Sequence, residues 1–213
     1  MSGILDLLNS DTGKSIVSGV AGQTNQPPNK AHEVLMIGMP VLMAAMKRNA
    51  SSPEGAQGLL SAINSKHDGS ILNDLGSLFG GGVDDTVMTD GSKILGHVLG
   101  NKQSNVENAI GAKAGIDSGT VAQILKVAAP ILMGILGNQA KQQNVDSPSG
   151  LEGMLGGLLK GNSPQNEQSF LESILDANGD GSVMDDVAGM VLGGNKKKGG
   201  LGGIIGGLFG GKN

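Results

Sequence analysis

The chain has 213 residues and a formal net charge of −4 at neutral pH, from 15 basic and 19 acidic side chains. It has no cysteine and only 1% aromatic residues, which excludes disulfides, Cys-zinc sites and thiol nucleophiles and removes the aromatic faces on which bases and sugars stack. The charge balance supplies no basic face for nucleic acid, while 38% hydrophobic residues and 38 glycines set beside Leu, Ile, Val and Met argue for a packed core and against plain disorder.

The first 14 residues lack the basic n-region and unbroken apolar h-region of a signal peptide. Residues 34–46 form an apolar stretch of about 13 residues, too short to span a bilayer and long enough for a buried helix. A soluble, cytoplasmic protein is expected. Asp11-Thr12-Gly13-Lys14-Ser15 resembles the end of a phosphate loop but lacks the first Gly of G-x-x-x-x-G-K-S and a preceding strand, so no nucleotide site is expected there.

Further along, the chain repeats itself. Residues 34–43 (VLMIGMPVLM) read like residues 124–133 (ILKVAAPILM), with Pro40 and Pro130 aligned at an offset of 130 − 40 = 90. The same offset pairs Ser2, Ile4, Leu5, Ile16 and Val20 with Ser92, Ile94, Leu95, Val106 and Ile110. Residues 52–60 match 147–155 at an offset of 147 − 52 = 95, and Asp68-Gly69-Ser70-Ile71 matches Asp180-Gly181-Ser182-Val183 at 180 − 68 = 112. Four ordered blocks point to a tandem duplication: unit one over 1–83, unit two over 84–194, and a Lys/Gly-rich hydrophobic tail over 195–213.

Each unit reads as helices. Over 121–136, Val121, Ile124, Leu125, Ala128, Ile131, Leu132 and Ile135 recur at three- and four-residue steps, and the stretch is apolar nearly all round, as befits a helix at the centre of a bundle. Asp117 supplies an N-cap signal, and Ser52-Pro53 and Ser147-Pro148 each combine an N-cap with an N1 proline. Pro40 and Pro130 each remove a backbone donor inside a central helix. Loops are expected at about 22–30, 47–53, 64–70, 80–91, 138–148 and 160–167, with Gly80-Gly81-Gly82 a flexible hinge between the units. Strand signals are scarce, so the fold expected is all-α: a multihelical bundle of two similar units with a Gly-rich C-terminal tail.

One candidate ion site stands out. Asp176-Ala177-Asn178-Gly179-Asp180-Gly181-Ser182-Val183 matches the start of a calcium loop, D-x-N-x-D-G-x-V, between two apolar segments. Asp176, Asn178 and Asp180 would converge their oxygens, Gly181 permits the sharp turn, and Ser182 offers its backbone carbonyl. Val187 stands where the bidentate Glu belongs, so Asp185 or Asp186 must substitute, and weak Ca²⁺ binding is expected. The competing reading is an Asx-rich turn without an ion. In the unit-one counterpart, Asn64 to Ile71, Lys66 falls at the third ligand position, so its ammonium is expected to take the cation's place. His32, His67 and His97 lack metal-ligand spacing, no serine sits in G-x-S-x-G, and no catalytic set emerges.

In the tail, Lys196-Lys197-Lys198 precedes a segment in which Leu201, Ile204, Ile205, Leu208 and Phe209 form one apolar stripe if helical, beside a Gly202, Gly206, Gly210 ridge. At about 1 kcal/mol per Gly relative to Ala, such a helix forms only when docked on a partner surface.

The P-[IV]-L-M helix in both units, the S-P-x-G turn and the D-x-N-x-D-G-S-V segment before a Gly-rich apolar end resemble the YidB-like bacterial proteins of unknown function. The resemblance covers most of residues 1–210 and implies a multihelical fold, a bacterial source and no assigned catalytic residue. The function expected is a non-enzymatic, self-associating or scaffold-like helical protein with one weak calcium-like loop, homo-oligomeric through Leu201, Ile204, Ile205, Leu208 and Phe209. The alternatives are a membrane-surface adaptor using the tail and, with less support, an enzyme assembled from scattered polar residues.

Overall fold

The computed structural model describes residues 4–160. Among these residues there are nine α-helices and no strand: α1 (Ile4–Asn9), α2 (Asp11–Gln23), α3 (Pro28–Asn49), α4 (Pro53–Ser65), α5 (Leu75–Gly80), α6 (Asp85–Leu99), α7 (Gln103–Ala114), α8 (Ser118–Gln143) and α9 (Pro148–Lys160). Two 3₁₀ turns, Ser70–Asp74 and Gly100–Lys102, lead into α5 and α7. The all-α expectation holds.

Helix starts follow the caps written in the sequence. Ser52 Oγ accepts from the Gly55 amide at 3.1 Å and Asp117 Oδ1 from the Thr120 amide at 2.9 Å, each satisfying an orphan donor of the first turn. Pro28, Pro53 and Pro148 occupy N1, where no amide hydrogen is needed. Two expected loops are shorter than anticipated. α6 already begins at Asp85, because Asp84 caps it through the Thr86 amide at 2.7 Å and Val87 and Met88 pack on the core. α8 runs on through 138–143 because Ala140 is buried beneath an otherwise polar turn. The Gly80-Gly81-Gly82 join is pinned at its far end: Val83 is buried, and its amide donates to Gln23 Oε1 at 2.8 Å.

The two central helices carry corresponding cores. α3 and α8 begin 118 − 28 = 90 residues apart, and α4 and α9 begin 148 − 53 = 95 apart, the offsets of the sequence repeat. Val34, Leu35, Met39, Val41, Leu42, Met43 and Met46 are all buried, as are their counterparts Ile124, Leu125, Ala129, Ile131, Leu132, Met133 and Leu136. The described halves of the chain share this core. α3 packs directly on α8, while α4 reaches across to α8 and α9 reaches back to α3 and α4.

Pro130 creates a specific contact. Lacking an amide hydrogen, it leaves the Lys126 carbonyl without its helical donor. Gly91 of α6 fills that place: its backbone lies so close that a β-carbon there would overlap the Lys126 oxygen. α8 also carries an 18-residue window of mean hydropathy 1.7, long and apolar enough by composition to cross a membrane; 72% of that window is buried inside the bundle.

Candidate functional site

The C-terminal turns of α3 and α6, the length of α4 and the middle of α8 enclose an apolar cleft of about 480 Å³. Met46, Met133, Ile94 and Val98 line it from the core, and half-buried Leu59 and Ala62 with exposed Gly58 line it from α4. No atom lies within 4 Å of where a Gly58 β-carbon would stand, so α4 offers a smooth strip there. Such a volume lies within the range of about 300–1,000 Å³ usual for ligand clefts.

Polar groups frame the cleft. Asn49, at the end of α3, donates through Nδ2 to the carbonyls of His97 (3.0 Å) and Val98 (3.3 Å), satisfying the last turn of α6 and fixing the two helix ends together. His97 itself is exposed at the cleft. His67, between α4 and the 3₁₀ turn, is only 8% exposed, with Nε2 3.4 Å from Asp90 Oδ2 of α6. Burial pushes its pKa below the ordinary imidazole value; Asp90 opposes that shift and Lys66 adds to it. The imidazole thus joins the turn after α4 to α6.

The loop equivalent to the candidate calcium loop is well placed. Asp68 accepts from the Ser70 amide at 3.1 Å and from Lys141 Nζ of α8 at 2.8 Å. The Lys141 ammonium, then the Ser70 hydrogen bonds, hold the carboxyl well below the usual carboxylate range. The ammonium at this turn is thus Lys141, from a helix distant in sequence. Lys66 is instead the exposed C-cap of α4, its amide donating to the Ala62 carbonyl while Lys141 holds the place beside Asp68.

Asp176, Asn178, Asp180, Ser182, Asp185 and Asp186, and the tail residues Leu201, Ile204, Ile205, Leu208 and Phe209, lie outside the described residues. Among the described residues no group of three or more His, Asp or Glu could hold a metal ion. Asp11 to Ser15 form the first turns of α2, where Lys14 Nζ pairs with Asp11 Oδ1 at 3.1 Å. That stretch borders an open trough whose wall is the Phe79 ring, packed on Gly19. The His67–Asp90 pair and the Asn49 bridge join residues 23 and 48 or more positions apart, and no local pattern announces them.

Among the described residues these features define an all-α bundle with an apolar cleft between α3, α4, α6 and α8. The chain belongs to the family of bacterial proteins of unknown function designated DUF937, whose model matches residues 6–139 and 141–213. The resemblance to YidB-like proteins is consistent with that membership. No curated protein and no solved structure matches the chain.

Proposed function

We propose that this is a non-enzymatic, self-associating helical protein of scaffold type, in which the apolar cleft of one copy takes the tail segment of another. The observation that carries the reading is the cleft between α4 and α6, where half-buried Leu59 and Ala62 present apolar surface beside the open strip at Gly58, over a floor of buried Met46, Ile94, Val98 and Met133. The tail offers matching chemistry: Leu201, Ile204, Ile205, Leu208 and Phe209 on one helical face, with Gly202 and Gly206 allowing close backbone approach. Burial at roughly 25 cal/mol per Å² would offset the ordering entropy of so glycine-rich a segment. Light scattering tests this. The full chain should associate at micromolar concentration, whereas the 1–194 truncation and the full-length Leu59→Asp variant should be monomeric. A full chain that is monomeric at high micromolar concentration defeats the proposal, and co-sedimentation with liposomes that depends on residues 195–213 would favour the membrane-adaptor reading instead.

A second reading concerns the acidic loop. In unit one the Asp68 carboxylate is neutralised by Lys141, whereas the residue 90 positions before Lys141 is Ser51, which carries no charge. The Asp180 turn thus lacks that ammonium, which favours Ca²⁺ held weakly by Asp176, Asn178, Asp180 and the Ser182 carbonyl, with Asp185 or Asp186 completing the set. Calorimetry should register one weak site that disappears in Asp180→Ala; no heat above dilution at millimolar Ca²⁺ rules it out.

A further inference from the structure

Residues 67–71 lie across α8. Gly69 abuts Asn138, the His67 carbonyl touches Gly137, and the Ile71 side chain rests on Gly134, with the Ile71 β-carbon 3.9 Å from where a Gly134 β-carbon would stand. From there α5 packs on α2, its Phe79 ring against Gly19. Gly134 and Gly137 are buried at this contact. At an offset of 90 the α3 counterparts of Gly134, Gly137 and Asn138 are Ala44, Lys47 and Arg48, all half-buried, and the counterpart of Gly19 is half-buried Ala109 on α7.

From this we infer that residues 180–192 of the same chain dock on α3 and α7 as residues 68–80 dock on α8 and α2, with Val183 seated on Ala44. The sequence supports the occupant directly. Asp180-Gly181-Ser182-Val183 repeats Asp68-Gly69-Ser70-Ile71, and Val187, Met190 and Val191 repeat the apolar positions of Leu75, Leu78 and Phe79. Charge changes in step on the two sides. The segment 176–187 carries Asp176, Asp180, Asp185 and Asp186 with no basic residue, and the α3 positions that match neutral Gly137 and Asn138 are Lys47, which lies alongside Gly156 of α9, and Arg48, which also lines the cleft. Opposite charges brought together in this way fix register and orientation more than they add affinity. Lys47 also puts a side chain where Gly137 has none, so the segment rides further from its helix at that point. The connection from α9 is longer than that from α4 by 112 − 95 = 17 residues, an insertion whose closure entropy grows only logarithmically. This placement does not require self-association; it sets against Lys47 and Arg48 the same carboxylates that the Ca²⁺ reading uses as ligands, so the two compete.

The chain has no cysteine, so engineered pairs report cleanly. In the full chain, Ala44→Cys with Val183→Cys should close an intramolecular disulfide under mild oxidation, seen as faster non-reducing migration and a cross-linked peptide mass. The reference pair is Gly134→Cys with Ile71→Cys, whose β-carbon spacing of 3.9 Å lies in the disulfide range. If the reference closes while Ala44/Val183 stays reduced, the inference is overturned. A disulfide between two copies overturns it in favour of a second chain, and closure of Ala44→Cys with Leu208→Cys instead assigns the face to the tail. Hydrogen exchange on a separate full-length variant, Ala44→Glu, decides the matter without any cross-link. Setting a carboxylate against the acidic segment should raise amide exchange over 181–192 about tenfold while 53–65 is unchanged; unaltered exchange over 181–192 refutes the docking.

Discussion

Replacing Gly91 by alanine tests the contact that Pro130 opens. Alanine is ordinarily the better helix former, by about 1 kcal/mol over glycine. Here the new β-carbon meets the Lys126 carbonyl oxygen and, at 2.7 Å, its carbonyl carbon, with the Lys126 Cα at 3.0 Å. All three are backbone atoms of a central helix, so no rotamer change relieves the overlap, and α6 and α8 must part. Overpacking of this kind costs about 1–3 kcal/mol, and the upper end applies where both sides are backbone. Set against the propensity gain, Gly91→Ala should be destabilised by about 2 kcal/mol, or roughly 4–8 °C in Tm for a chain of this size. The control lies five residues on in the same helix. Gly96 is exposed with nothing within 4 Å of its β-carbon position, so Gly96→Ala should gain about 1 kcal/mol and melt roughly 2–4 °C higher. Circular dichroism melts with urea titrations measure both. If Gly91→Ala melts at or above the parent, the close approach of α6 to Lys126 is wrong.

Two further substitutions probe charge. Because the folded-state pKa of His67 is depressed by burial, the unfolded chain takes up a proton near 6.5 that the folded chain takes up only at lower pH; stability should therefore fall as pH drops below about 6.5, and His67→Gln should flatten the Tm profile between pH 7 and 5. Lys141→Gln should leave Tm unchanged, since the Asp68 pair is solvent-exposed, while the Asp68 carboxyl, followed by NMR titration, returns toward the ordinary carboxylate range; an Asp68 pKa that does not move would show that the Ser70 hydrogen bonds alone set it.

Much of the architecture is legible in the chain. The N-caps at Ser52 and Asp117, the N1 prolines and the all-round apolar pattern of 121–136 are local signals, and the helices start where those signals stand. The starts of α3/α8 and α4/α9 keep the repeat offsets because the repeated positions are core positions. What the sequence conceals is contact between distant segments. Val87 and Met88 draw α6 back to Asp85 by packing on the core, and Ala140 extends α8 beyond its polar-looking end. Lys141 reaches Asp68 from 73 residues away, so the nearer Lys66 misleads. The cleft is a gap between four helices and has no motif. His67 reads as an isolated residue until α6 brings Asp90 beside it.

The glycines divide by what stands against them, and that division bears on function. Gly13, Gly55, Gly91 and Gly137 each face a backbone carbonyl oxygen of another segment, so small size there buys close packing in a chain with few aromatics to fill a core. Gly58 differs, lining the cleft from α4 with open space around it, so nothing within the described residues requires it. In isolation it only weakens its helix, by about 1 kcal/mol. Gly58→Ala should therefore raise the Tm of the 1–194 truncation by roughly 2–4 °C. If a tail helix with its own glycine ridge approaches at this strip, the same methyl group should hold the two backbones apart and weaken self-association of the full chain about tenfold, measured by sedimentation equilibrium. Stabilisation together with unchanged association would mean that α4 is not the surface on which the copies meet.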